Sequence, residues 1–300
     1  MRLNPRIIFF LLLLIFPSLL PAQDTLANLF RDKKPPVEYA EAAFKTTRIV
    51  IGQSIENTPQ GNILLTISHH FGAMNTGYEN LFGLKQAAFR FGAEYGITKR
   101  LVLGLGLNTD RNTWDGFLKY KILRQKSGGK KFPFSLTAFA NTAIYTTKWD
   151  VPDRKNYFTS RISYCFQALM ARKFNEWLTL QITPSMVHKN LVPTSADHND
   201  IFTLGAGGRA KVSERVSINA EYHHIFPGQV VSYKVYDSFS IGVDIETGGH
   251  VFQIFLTNST GENEEGFLTN TTGRWNKGDI FLGFNINRIF TVFEPKSFRE

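Results

Sequence analysis

The stretch Ala87-Ala88-Phe89-Arg90-Phe91-Gly92-Ala93-Glu94-Tyr95-Gly96-Ile97, then Thr98-Lys99-Arg100, then Leu101-Val102-Leu103-Gly104-Leu105-Gly106-Leu107-Asn108-Thr109, decides the fold. Phe89, Phe91, Ala93, Tyr95 and Ile97 alternate with Arg90, Gly92, Glu94 and Gly96, and the four leucines alternate with Val102, Gly104, Gly106 and Asn108. A period of two is the strand repeat, so the stretch reads as two strands joined by a tight turn. One face is continuously apolar. The other, of small residues, an Arg and a Glu, lines a dry core badly and a wet or ion-paired lumen well. Apolar outside and polar inside is the pattern of a transmembrane β-barrel. A soluble sandwich with one wetted face produces the same alternation in a single hairpin, so the rest of the chain has to discriminate.

Twelve strand candidates start at Asn62. They are Asn62 to Phe71, the two of the hairpin, Asp115 to Arg124, Pro133 to Tyr145, Tyr157 to Lys173, Trp177 to His188, Asp200 to Lys211, Val216 to Ile225, Ser238 to Glu246, His250 to Thr257 and Asp279 to Phe290. Val216, Ile218, Ala220 and Tyr222 repeat the alternation against Ser217, Asn219, Glu221 and His223, as do Phe239, Ile241, Val243 and Ile245 against Ser240, Gly242 and Asp244. Pro184 inside one candidate signals a bulge or an edge. The connections 98–100, 174–176, 212–215 and 247–249 are tight and 125–132 is moderate. Those at 72–86, 146–156, 189–199, 226–237 and 258–278 are long, and only 110–114 breaks the contrast. Outer-membrane barrels have short periplasmic turns and long outward loops, whereas Greek-key sandwiches have no such rule. The expected fold is therefore all-β, a transmembrane antiparallel up-and-down barrel of about twelve strands. Trp114, Trp149 and Trp275 beside long loops, and Phe174 and Trp177 at a tight turn, fit two interfacial girdles, although any single Trp serves equally as a loop anchor.

Arg2 and Arg6, the apolar run Ile7 to Leu20 broken at Pro17, and Ala22 after Pro21 have the three-part layout of a cleaved export signal. Residues 1–22 are read as that signal, 23–61 as a leader and 62–300 as the barrel. Val37 to Lys45 has the pattern of a short amphipathic helix and Thr46 to Ser54 that of a strand. The leader is open to three placements: a cap, a plug in the lumen or an added edge strand. No other run reaches the roughly 18 apolar residues of a spanning helix. The 27 Phe and 14% aromatic content suit a barrel instead. The formal charge of +9 falls by two, to +7, when Arg2 and Arg6 leave. The basic residues are scattered rather than striped, so nucleic acid is not an expected partner. Cys165 is single, which excludes an intrachain disulfide.

The strings Phe44-Lys45-Thr46-Thr47-Arg48, Ile67-Ser68-His69-His70-Phe71-Gly72, Asn80-Leu81-Phe82-Gly83-Leu84, Asp115-Gly116-Phe117-Leu118-Lys119-Tyr120-Lys121 and Gly249-His250-Val251-Phe252-Gln253 resemble a Gram-negative family of outer-membrane β-barrel proteins, a domain of unknown function. The resemblance covers nearly all of the chain after the signal. It implies the barrel fold and a place in the outer membrane, and brings no substrate or catalytic residues.

With the greasy faces on lipid, the lumen is lined by Arg90, Glu94, Lys119, Lys121, Arg161, Gln167, Arg209, Lys211, Glu221, His223 and Asp244. Bases outnumber acids, so an open bore favours anions, and the expected role is a passive channel for small polar or anionic solutes. The competing expectation is a filled bore in which these charges pair, since buried charges persist when partnered. Twelve strands lie between the filled barrels of about eight and the open ones of 16 or more. Gly104, Gly106, Gly205 and Gly207 tip the expectation towards space inside. Beyond lipid and a solute, a closed barrel that docks a protein partner through the leader or the 258–278 loop is the second reading.

Of the doublets His69-His70 and His223-His224 only His70 and His223 face the lumen, too few ligands for a metal site. A lipid-face hydrolase would need His69, His224 and Ser160, which lie on separate strands with no orienting group evident. The run Gly261-Glu262-Asn263-Glu264-Glu265-Gly266 lacks the spacing of a calcium loop and reads as a solvated turn. No cofactor motif is present, and the expectation is a non-enzyme.

Overall fold

The structure is a computed structural model that describes residues 36–128, 131–149 and 151–294. The signal and residues 23–35 of the leader lie outside the described residues. Twelve strands form one sheet: β1 Asn62–Ala73, β2 Ala87–Gly96, β3 Leu101–Asn108, β4 Thr113–Leu123, β5 Ser135–Tyr145, β6 Ile162–Lys173, β7 Leu178–Lys189, β8 Asp200–Lys211, β9 Val216–Ile225, β10 Ser238–Thr247, β11 His250–Thr257 and β12 Phe281–Thr291. Each pairs antiparallel with its chain neighbours, and β12 returns to β1 through pairs such as Asn285 with Ser68 and Ile286 with Ile67. The ring leaves no unpaired edge, which is what allows a sheet to sit in hydrocarbon. Among the described residues no helix is long and apolar enough to cross a membrane.

The alternation that defined the hairpin holds through the ring. Leu103, Leu105, Leu107 and Phe91 point outward and are exposed, while Val102, Asn108, Arg90 and Glu94 are buried on the inner face. The polar face is thus enclosed and the apolar face is the outer wall.

Three sequence expectations are corrected. Pro184 makes neither bulge nor edge: it pairs with Leu204 of β8, and the ladder to β6 resumes in the same register at Met170 with Ile182 after Gln167 with Ser185. The missing N–H faces β6, so the ladder skips two residues rather than shifting. The sixth strand starts at Ile162 because Phe158–Arg161 is a 3-10 turn. Finally, Val37 to Lys45 is not a helix and Thr46 to Ser54 is not a strand. Glu38–Tyr39 pairs outside the ring with Lys126–Ser127, and residues 43–58 form a folded strap inside the ring.

The long loops are tied to one another. Asp197, between β7 and β8, accepts from the N–H of Val231 (2.7 Å) and Ser232 (2.9 Å) in the β9–β10 loop and from Thr194 Oγ1 (2.7 Å). The N–H of Ser232 first, then that of Val231 and the Thr194 hydroxyl, hold its carboxyl well below the usual carboxylate range. A depressed carboxylate contributes stability above the unfolded pKa near 4 and loses it only as pH falls through the folded value. The tie should therefore survive mild acid, and Asp197→Asn should raise amide hydrogen exchange at Val231 and Ser232 at neutral pH, with little effect on amides of the strands. On the outer wall, Leu105→Arg should destabilise the barrel in vesicles by about 2–4 kcal/mol, the cost of Arg near the bilayer midplane, in a denaturant titration.

Candidate functional site

The site is the lumen, and two pieces of the same chain occupy it. The strap enters from the end that carries the short turns. It doubles back on itself, with Ile49 N donating to Gly52 O (2.8 Å), Ser54 N to Thr47 O (2.9 Å) and Ser54 Oγ to Thr46 O (2.7 Å). From the end that carries the long loops, the β11–β12 connection folds inward and forms a short helix, α1 Glu264–Thr269, every residue of which is buried. Asn263 caps it by accepting from Gly266 N (2.8 Å).

The strap lacks a ladder partner, so its backbone polar groups need partners from elsewhere. Side chains of six wall strands supply them, and a seventh strand bonds the strap's hydroxyls. Glu221 of β9 accepts from Ile51 N (2.7 Å) and Gly52 N (3.0 Å). Asn285 of β12 donates to Val50 O (3.0 Å), Gln253 of β11 to Ile49 O (3.1 Å) and Gln181 of β7 to Gln53 O (2.7 Å). Arg209 of β8 donates to Ala43 O (3.2 Å) and to Ala42 O just before the strap (2.8 Å). Lys119 of β4, fully buried, donates to Glu56 O (2.5 Å) and Thr47 O (3.3 Å), and Glu94 of β2 accepts from Thr47 Oγ1 (2.9 Å) and Thr58 Oγ1 (3.1 Å). Gly52 allows the close approach: a Cβ there would lie 3.0 Å from Glu221 Oε2 and 3.1 Å from His223 Nε2.

Apolar packing adds to these bonds. Phe44, Ile49, Val50, Ile51 and Ile55 of the strap are buried in one cluster with the inward Val102, Phe117, Phe139, Leu169, Val187, Ile201 and Phe255 of the wall and Phe267 of α1. Burying such a side chain stabilises by about 1.5–3 kcal/mol. The inward apolar wall residues escaped the sequence reading, although Phe117 shares the parity of Lys119 and could have been placed by it.

The inner glycines do not leave a bore. A Cβ at Gly104 would fall 2.1 Å from the Phe117 ring, at Gly106 2.3 Å from Arg90 and Asp115, at Gly205 2.6 Å from the His223 ring, and at Gly207 2.7 Å from Ile49 of the strap. The space they create is taken by neighbouring side chains.

Most of the residues assigned to the lumen are there, and all of these but His223 are partnered. Arg90 grips Asp115 with two nitrogens, at 2.6 and 3.2 Å, a partner the sequence reading left out. Asp244 accepts from Gln253 (2.9 Å) and Gln167 donates to Ser185 Oγ (3.0 Å). His223 stands 3.8 Å from Glu221, too far for a hydrogen bond, and its ring is tilted against that of Phe267, with centroids 5.0 Å apart. Lys121 lies 3.8 Å from Glu56, and Lys211 pairs with Glu214 (2.8 Å) at the short-turn mouth. Arg161 is the exception. The 3-10 turn lifts it to the long-loop rim, where it donates to Tyr145 O (3.0 Å) and lies over the Trp149 ring.

The acidic run 261–266 is not the solvated turn expected. Its carboxylates are buried because each meets a charged or polar group of the lumen. Glu262 lies 3.0 Å from His70, Glu265 pairs with Lys189 (3.0 Å) and Arg111 (3.3 Å), and Glu264 accepts from Gln53 Nε2 (2.9 Å) with Arg48 at 3.6 Å. Glu264 thereby joins the inward helix to the strap. With Asp115 and these three glutamates inside, the basic surplus expected of the lumen is offset. Among the described residues no group of three His, Cys, Asp or Glu side chains gathers as a metal site. On the outer wall, His224 hydrogen-bonds Asp237 (3.0 Å), His69 sits among Phe71, Phe89 and Phe284, and Ser160 precedes β6, with β7 and β8 between it and β9.

The chain is similar, at low identity, to several solved structures. The NanC porin shares 8% identity over 76% of this chain and 98% of its own, at a TM-score of 0.45. The KdgM porin shares 8% over 78% and 99%, at 0.46. An outer-membrane channel from Pseudomonas putida F1 shares 16% over 79% and 98%, at 0.46. Among curated proteins no match is found. The family described as a membrane bound beta barrel domain, DUF5777, matches residues 44–290, from the first residues of the strap to the end of the last strand, and the chain belongs to that family.

Proposed function

We propose that the protein is an outer-membrane barrel that conducts small polar solutes through a lumen closed at rest by its strap, and that displacement of the strap opens it. The observation that carries this reading is the way residues 43–58 are held. Wall side chains bond mainly the strap's backbone, so the strap is seated in a ring that is complete without it, β12 pairing directly with β1. The signal-like pattern of residues 1–22, the closed sheet and the turn lengths support an outer-membrane setting with the strap mouth towards the periplasm. The bases that favoured anions, Lys119, Lys121 and Arg209, face Glu56, Glu94 and Asp244, so selectivity between anions and cations is weak in this reading. No chemistry is assigned: the hydroxyl of Ser160 and the imidazole of His224 stand three strands apart.

A permanently closed barrel that presents loops to a protein partner is the second reading, and the apolar packing of Ile49, Val50, Ile51 and Ile55 favours it. Planar bilayers separate the two. The intact protein should be nearly silent, and a variant lacking residues 36–58 should conduct with a reversal potential near zero in a salt gradient. A strap-less barrel that folds and stays silent selects the second reading. A graded version uses Glu221→Ala, which leaves two strap amides unpaired. Losing hydrogen bonds to a charged group costs about 1.5–3 kcal/mol, so the time spent conducting should rise roughly tenfold to a hundredfold.

A further inference from the structure

The connection between β1 and β2 exposes five large apolar side chains in eleven residues: Met74, Tyr78, Leu81, Phe82 and Leu84. Tyr78 is the most exposed of them at 75%, and Phe82 stands at 58%. The loop is nevertheless built rather than slack. Gly72 N donates to Gln86 O (3.1 Å), Met74 N to Ile280 O (2.8 Å) and Phe82 N to Gly77 O (2.8 Å), and Asn75 Nδ2 donates to Asp279 Oδ1 (2.7 Å). Gly83 is folded so tightly on the strand end that a Cβ would meet Gly72 O at 2.2 Å. Leu81 and Phe82 hold φ of 48° and 53°, the left-handed region that bulky L residues avoid. Such a conformation persists where something rewards it. The protein's own contacts bury little of either side chain.

The loop grows from the ends of the two strands whose outward Ile67, Phe71, Phe89 and Phe91 belong to the lipid-facing wall. Its apolar surface continues that wall beyond the long-loop rim. We propose that residues 74–84 are a membrane anchor, with Tyr78, Leu81, Phe82 and Leu84 seated in the interfacial region of the leaflet at the long-loop end. Continuity with the lipid-facing wall selects the bilayer over a second protein as the occupant. The flanking ammonium of Lys85 donates to the carbonyl of Glu79 and stays at the polar side of the loop.

Site-specific labelling tests this on the folded barrel in phospholipid vesicles. The native thiol, Cys165, is buried in the lumen wall and shielded from reagent. Phe82→Cys carrying an environment-sensitive NBD probe should emit to the blue of the same probe at Ser195→Cys, an exposed position in the β7–β8 loop. Lipids bearing a nitroxide high on the acyl chain should quench Phe82→Cys severalfold more than Ser195→Cys. Leu81→Cys should behave like Phe82→Cys and serves if either variant folds poorly. Water-like emission with no lipid quenching at both positions overturns the anchor. A blue shift that grows with protein density and ignores nitroxide lipids also overturns it, in favour of contact between copies.

Discussion

A peptide group withdrawn from water must find a partner, and in this barrel that constraint operates twice in opposite directions. In the wall it forces the sheet to close, since an open edge in hydrocarbon would strand a row of N–H and C=O groups. Inside, it forces the wall's polar side chains and the strap's backbone on to one another. Glu221, Asn285, Gln253, Gln181, Arg209, Lys119 and Glu94 are buried carboxylates, amides and cations that would be costly if empty-handed. The strap is a loop without a ladder that would be equally costly. Each satisfies the other.

The same constraint fills the bore of the twelve-stranded ring. The inner face is not uniformly polar: Val102, Phe117, Phe139, Leu169, Val187, Ile201 and Phe255 interrupt it, and a water-filled channel would leave them wetted. The strap's isoleucines and the Phe267 of α1 cover them from the two ends. Where the two insertions meet, Glu264 accepts from Gln53 and faces Arg48, so the inward loop and the strap are bonded to one another inside the ring.

Fold and wall were legible in the sequence because strand alternation is a local property. Leu101 to Asn108 announces its two faces without reference to any other residue, and β3 carries them as read. The lumen set was legible for the same reason, down to His223 and Asp244. Legibility ended where the answer depended on distant partners. Thr46 to Ser54 has strand composition, yet its amides are taken by a carboxylate 170 positions away at Glu221, and no local pattern encodes that. Glu262, Glu264 and Glu265 read as solvated because the groups they meet come from four other segments of the chain. Arg161 has lumen parity, and a single 3-10 turn was enough to move it to the rim.

The order in which these pieces appear along the chain bears on how the molecule is assembled. The strap is translated before any strand, whereas the seam between β12 and β1 can be sewn only after the last strand exists. The final staves therefore have to be drawn around an insert already in hand, or the insert must be threaded through a finished hoop. Wall contacts spread over seven strands give the first course a template: the loop can gather staves on its polar surface as they arrive, and act as a former for the hoop it later blocks.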